Sequence, residues 1–155
     1  MNFSLDTVVA ISRWSRRTWW RRISEGSVKR LANDARGRAM LAWEDVAPHL
    51  RIGLSDEDLV VLQQADDDIA EAQNDIGLLL VAEGHYEAGL FWVQQAAEKG
   101  FPDAMQYLGR AYASGEGVKR DENLAIMWIA KAAANGHSIA QKQMCSLRKS
   151  GARTG

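Results

Sequence analysis

The chain of 155 residues is 46% apolar and 25% charged, with a formal net charge of −1; these are globular proportions that exclude long disorder and collagen-like structure. No apolar run approaches the ~20 residues needed to cross a bilayer, Met1-Asn2-Phe3-Ser4-Leu5-Asp6 carries no basic leader-like region, and the lone cysteine, Cys145, forms no intrachain disulfide, so the expectation is a cytoplasmic protein without a secretory signal. The near-neutral total conceals an asymmetry: residues 1–52 hold ten Lys/Arg and five Asp/Glu, residues 53–155 nine and fifteen, which points to two units with different partners.

In chain order, Leu5, Val8, Val9 and Ile11 make a short apolar helix. Ser15 is a good N-cap for a second helix over residues 16–25, which Gly26 ends. Residues 27–31 and 38–42 then read as two short strands around Asn33-Asp34-Ala35-Arg36-Gly37. Glu44-Asp45-Val46 begins another helix, with Pro48 in its first turns. The order is helix, turn, helix, hairpin, helix.

The second helix sets its own orientation. At about 100° per residue, Trp19, Trp20 and Ile23 share one arc. Arg17, Thr18 and Arg21 lie opposite, with Arg22 at the flank. Arg16 falls in the apolar arc but can reach outward from the first turn. An apolar side for a core and an arginine side for a groove suit a DNA recognition helix, because arginine neutralises phosphates and reads guanine edges. Arg36 and Arg38, either side of Gly37, add a second basic contact at the hairpin tip. The tryptophans are expected to pack in the core.

The stretch from Ala10 to Gly26, with Ser15, Thr18, Trp19, Arg21 and Ile23 in S-x2-T-aromatic-x-R-x-I-x2-G order, resembles the excisionase and MerR-type winged helix-turn-helix. Ala42-Trp43-Glu44-Asp45-Val46 is similar to the closing helix of those families. The resemblance spans about residues 4–50 and implies DNA contact through Arg16, Arg17, Thr18, Arg21, Arg22, Arg36 and Arg38. Tandem Trp19-Trp20 departs from that pattern, as does the lack of the MerR effector domain and its coiled coil.

The second half repeats itself. Ala104, Leu108, Gly109 and Tyr112 match Ala72, Ile76, Gly77 and Leu80, an offset of 32; Trp128, Ala132, Ala133, Gly136 and Ala140 match Trp92, Ala96, Ala97, Gly100 and Ala104, an offset of 36. The first repeat is therefore four residues shorter at its internal turn, where the second has Gly115-Glu-Gly117-Val118-Lys-Arg-Asp121. Ala104, Leu108 and Tyr112 form an i, i+4, i+8 stripe, and Leu124, Ala125, Trp128, Ala132 and Ala133 form the partner stripe. Gly115 and Gly117 end one helix, and Asp121 N-caps the next.

These residues resemble the Sel1-like repeat, a relative of the tetratricopeptide repeat, with pattern A-x3-LG-x2-Y-x2-G-x-GV-x2-D-x3-A-x2-W-x3-AA-x2-G-x3-A. Residues 104–140 match nearly every position. Residues 72–104 match with a shortened loop and with Gly89 where alanine is usual. Residues 55–65 are similar to the second helix of a degenerate preceding repeat, with Val60 in the Trp position. Residues 140–149 are similar to a first helix, with Cys145 in place of the repeat glycine and Arg148 in place of the aromatic. The resemblance implies a right-handed helical solenoid for protein–protein contact, and no enzyme.

No catalytic or metal constellation is expected. His49, His85, His137 and Cys145 lack ligand-like spacing, Gly115-Glu-Gly117 lacks the phosphate-loop Lys-Ser/Thr, and Asp66-Asp67-Asp68 lacks calcium-loop alternation and reads as a solvated helix junction. Cys145 reads as a small buried apolar residue. The fold expectation is mainly α: a winged helix-turn-helix-like basic unit over residues 1–52, then a short α-α superhelix over 53–155. The functional expectation is a bacterial-type DNA-binding regulatory protein, without cofactor or membrane contact, whose repeats bind a protein partner or form a homodimer. The alternative is a non-catalytic adaptor whose basic unit binds an acidic protein instead of DNA.

Overall fold

A computed structural model describes residues 1–151. It is mainly helical, with nine α-helices among the described residues. Two compact units meet in sequence at Asp67/Asp68.

The first unit runs β1 (Asn2–Ser4), α1 (Leu5–Ile11), α2 (Arg16–Ser24), β2 (Arg30–Leu31), β3 (Met40–Ala42), α3 (Trp43–Val46), a 3-10 turn at Ala47–His49, and α4 (Asp56–Asp66). Serine hydroxyls start both early helices: Ser4 accepts from the Thr7 amide, and Ser15 from the Thr18 amide. The strands are shorter than expected, and Pro48, which has no amide hydrogen, confines α3 to a single turn. β1 was not anticipated. It pairs antiparallel with β3, Phe3 opposite Leu41, to give a sheet of order β1-β3-β2. Phe3, Val8, Trp19, Leu41, Val46 and Leu62 are fully buried and form the core of this unit.

Leu62 belongs to α4, so α4 goes with the N-terminal unit and not with the repeats. The division expected at residue 52 accordingly moves to Asp67. Val60, aligned with the repeat tryptophan, is 54% exposed. Asp66 is the reason α4 is held here. Its carboxylate accepts from the Ser4 amide at 2.9 Å, the Thr7 hydroxyl at 2.7 Å, the Ser4 hydroxyl and Arg38 Nη1 at 2.8 Å. The aspartate run is therefore not a solvated junction at its first member, because Asp66 is sealed and saturated with donors.

The second unit holds α5 (Ala70–Ala82), α6 (Tyr86–Glu98), α7 (Pro102–Ser114), α8 (Glu122–Ala134) and α9 (Ser138–Gly151). α5 packs on α6 and α7 on α8, joined by the short turns that make sequential helices antiparallel neighbours. Gly115, at φ 76°, caps α7 in the left-handed conformation, and Asp121 accepts from the Leu124 amide to start α8. Trp92 and Trp128 are buried, as their equivalence requires, and Trp128 shares one core with Val93, Ala96, Ala104, Leu108, Ala132 and Ala140.

Gly89 has a packing reason. A Cβ there would lie 2.6 Å from the Gly77 carbonyl oxygen, and one on Gly77 would lie 2.8 Å from the Gly89 oxygen. In the second pair, where alanine faces glycine, a Cβ on Gly109 would lie 3.2 Å from the Ala125 oxygen. The paired glycines let α5 and α6 backbones approach more closely than those of α7 and α8.

Candidate functional site

The arginine side of α2 is partly as expected. Arg16, Arg17 and Arg21 are exposed, and Trp19 is fully buried with its indole N–H donating 2.8 Å to the Ser12 hydroxyl. Arg16 pairs with Asp6, and Arg21 Nε stands 3.9 Å from Glu25. The Thr18 hydroxyl is 3.0 Å from that of Ser15, which ties it to the helix start. Arg22 turns back, half-buried, with its guanidinium 5.2 Å from the Trp14 ring centre.

Trp20 departs from the expectation that the tryptophans pack in the core. It is 39% exposed, with the Arg30 guanidinium 5.7 Å from its ring centre. The fully buried Trp19 takes the core position, and its neighbour along the helix is rotated toward solvent. Arg17, Trp20, Arg21 and Arg30 thus form an exposed basic and aromatic surface. Arg30 was not among the expected contacts; its cue was the Lys29-Arg30 pair at a short strand, which the helix pattern does not register.

Of the hairpin cations, Arg38 is committed inside the protein, while Arg36 stays exposed. Arg38 Nε donates 2.7 Å to Asp34 Oδ2, and Nη1 donates 2.8 Å to both the Asp66 carboxylate and its carbonyl. Arg36 Nη2 donates 3.1 Å to the Asp67 carbonyl. Both guanidiniums sit at the C-terminal end of α4, where unpaired carbonyls favour positive charge. Burial opposes the Arg38 charge, but the Asp34 hydrogen bond and the Asp66 and Asp34 carboxylates outweigh it and raise its pKa. Burial likewise opposes ionisation of Asp34, yet donors from Arg38 and Arg36 hold its pKa below the ordinary value. Arg38 is an internal strut, not a cation displayed at a hairpin tip.

Beneath α2, the His49 ring stacks on Trp14 at 3.6 Å between centres and meets Trp19 edge-on at 5.8 Å. Burial, and secondarily the Arg22 charge, lower the His49 pKa.

In the repeat unit a groove of about 590 Å³ runs between α8 and α9. Ile126, Ile129, Ile139 and Leu147 line it, with Arg120, Glu122 and Lys142 among its walls. Cys145 on α9 is exposed, contrary to expectation, because the face it shares with the repeat glycines is uncovered there. Among the described residues no group of three or more His, Cys, Asp and Glu gathers as for a metal, and no helix is long and apolar enough to cross a membrane.

Comparison with known proteins places the repeat unit. Residues 70–101 and 102–137 each match the family model described as Sel1 repeat. A curated relative, "DAP3-binding cell death enhancer 1" of Rattus norvegicus, is 34% identical over 89 residues, which are 55% of this chain and 17% of the relative. The chain thus spans about a sixth of that relative's length. Among solved structures, a Sel1 repeat protein from Oxalobacter formigenes matches with TM-score 0.53 and 32% identity over 56% of this chain and 37% of that one. A protective antigen of uropathogenic Escherichia coli strains, displaying an SLR fold, matches with TM-score 0.54 and 29% identity over 64% of this chain and 22% of that one. The helix pairs α5–α6 and α7–α8 are accordingly two Sel1 repeats, stacked as an α-α superhelix.

Proposed function

We propose that the chain is a non-catalytic adaptor that binds a protein partner through its Sel1 repeats. The carrying observation is the pair of repeats at residues 70–137, beside which an apolar groove stays open. The rat relative, similar over a segment of this length, is by its name a protein that binds another protein, which supports the same kind of role here. The basic face of α2 then serves a second, acidic protein surface. Commitment of Arg38 to Asp34 and Asp66 favours this over DNA, since it withdraws that cation from phosphate contact.

DNA binding by α2 is the second reading, favoured by the exposed Arg17, Trp20 and Arg21 on one short helix. The test is affinity purification after cross-linking in cells, alongside footprinting on selected DNA, for the full chain and for Arg17→Glu/Arg21→Glu. The adaptor reading expects a stoichiometric protein partner and no footprint. A salt-sensitive footprint lost in the double variant, with no protein partner, would reverse it.

A further inference from the structure

We propose that the groove between α8 and α9 receives an acidic amphipathic helix of a partner protein. This rests on the adaptor reading and names its surface and the chemistry of its partner. The groove offers a continuous apolar floor: Ile126 is 47%, Ile139 57% and Leu147 46% exposed, with Ile129 between them. Scattered exposed apolar residues need no explanation, but several lining one groove mark a contact surface. Ile139, Lys142, Gln143, Ser146 and Leu147 lie at i, i+3, i+4, i+7 and i+8 on α9, so one helical face forms a whole wall. A groove of this kind takes the apolar stripe of an amphipathic helix.

Charge selects the occupant. α9 carries Lys142, Arg148 and Lys149 and no acidic residue. Arg120 at the opposite wall is already paired with Glu122, so Lys142 is the cation that faces an incoming chain. The occupant that fits is a helix that seats on the isoleucines and presents carboxylates to Lys142.

The probe is a synthetic N-acetylated peptide of about 16 residues, some 24 Å when helical. It carries leucine along one face and glutamate on both flanks, and a twin carries lysine in place of glutamate. Fluorescence anisotropy with the full chain is expected to show saturable binding of the glutamate peptide, with the lysine twin about tenfold weaker. Ile139→Glu should weaken the glutamate peptide about tenfold, and Lys142→Glu should invert the preference between the peptides. Arg13→Glu, at an exposed cation outside both the groove and α2, should change nothing. In the unmodified chain, backbone amide shifts on titration should concentrate at Ile126, Ile129, Ile139 and Leu147, a readout independent of how any variant folds. No saturable binding, equal affinity for the twins, shifts centred elsewhere, or sedimentation showing a dimer that Ile139→Glu dissolves would each overturn the proposal. If Ile139→Glu still captures the cellular partner, this groove fails while the adaptor reading stands. If the peptide binds here and no protein partner exists in cells, the adaptor reading fails instead.

Discussion

Arg38 and Asp66 join the hairpin to the end of α4 across 28 residues of sequence, Nη1 to Oδ1 at 2.8 Å, with the Asp66 side chain wholly shielded from water. Ser4 and Thr7 complete the shell from β1 and α1, so one carboxylate ties four separate segments. Asp66→Ala is expected to cost the N-terminal unit about 3–5 kcal/mol, because it strands a guanidinium and two hydroxyls. Asp66→Asn, which still accepts hydrogen bonds, should cost less. Tryptophan fluorescence during urea unfolding measures both, since four of the six tryptophans lie in this unit.

The glycine pair gives a prediction of sign. Alanine gains up to ~1 kcal/mol over glycine in a helix interior. At Gly77 the added carbon meets backbone, the Gly89 oxygen at 2.8 Å and the Val93 nitrogen at 3.0 Å, and nothing there yields cheaply. Gly77→Ala should therefore destabilise by about 1–3 kcal/mol. At Gly109 the closest atom is the Ile129 Cγ1 at 2.5 Å, while the nearest backbone, the Ala125 oxygen, lies farther off at 3.2 Å. Gly109→Ala should consequently cost clearly less, and thermal melts of the two variants side by side decide the order.

Trp128 is buried in the repeat core, with the Lys131 ammonium 4.7 Å from its ring centre. Trp128→Ala should lower the stability of the repeat unit by about 3–5 kcal/mol. Loss of helical circular dichroism at lower temperature is the measurement.

His49 makes the N-terminal unit sensitive to mild acid. Its pKa is lowered by burial and then by Arg22. Above about 6.5 the ring is neutral in folded and unfolded chains alike. As pH falls through that value the unfolded chain takes the proton first, so stability declines until the folded-state pKa is reached. His49→Phe, which keeps a ring against Trp14, should flatten the slope of unfolding midpoint against pH between about 7 and 5.5.

The repeat helices were legible because each depends on local signals repeated twice: alanine and glycine at close approaches, a tryptophan in the stripe, an aspartate cap. The same holds for α2, whose serine cap and buried Trp19 follow from spacing alone. What was not legible depended on distant chain. β1 carries no turn or period of its own and exists because Asn2–Ser4 finds β3. The inward fate of Arg38 could not be read without knowing that Asp66 would arrive beside it. Trp20 and Cys145 were misjudged for one reason: a helical wheel ranks residues by angle, while burial requires a neighbour on that side.

Because the buried cluster of the repeat unit is handed from α6 through α7 and α8 to α9, with Ala140 the last helix's one fully shielded side chain, stability is distributed along the array as in a row of coupled links. Amide hydrogens should then exchange slowest in α6 and α7 and fastest in α9, which opens without unfolding the others. A ligand seated along α9 would slow exchange there first and pass the protection inward to α8 and α7, so the array converts contact at its last helix into a graded change in the lifetime of its interior.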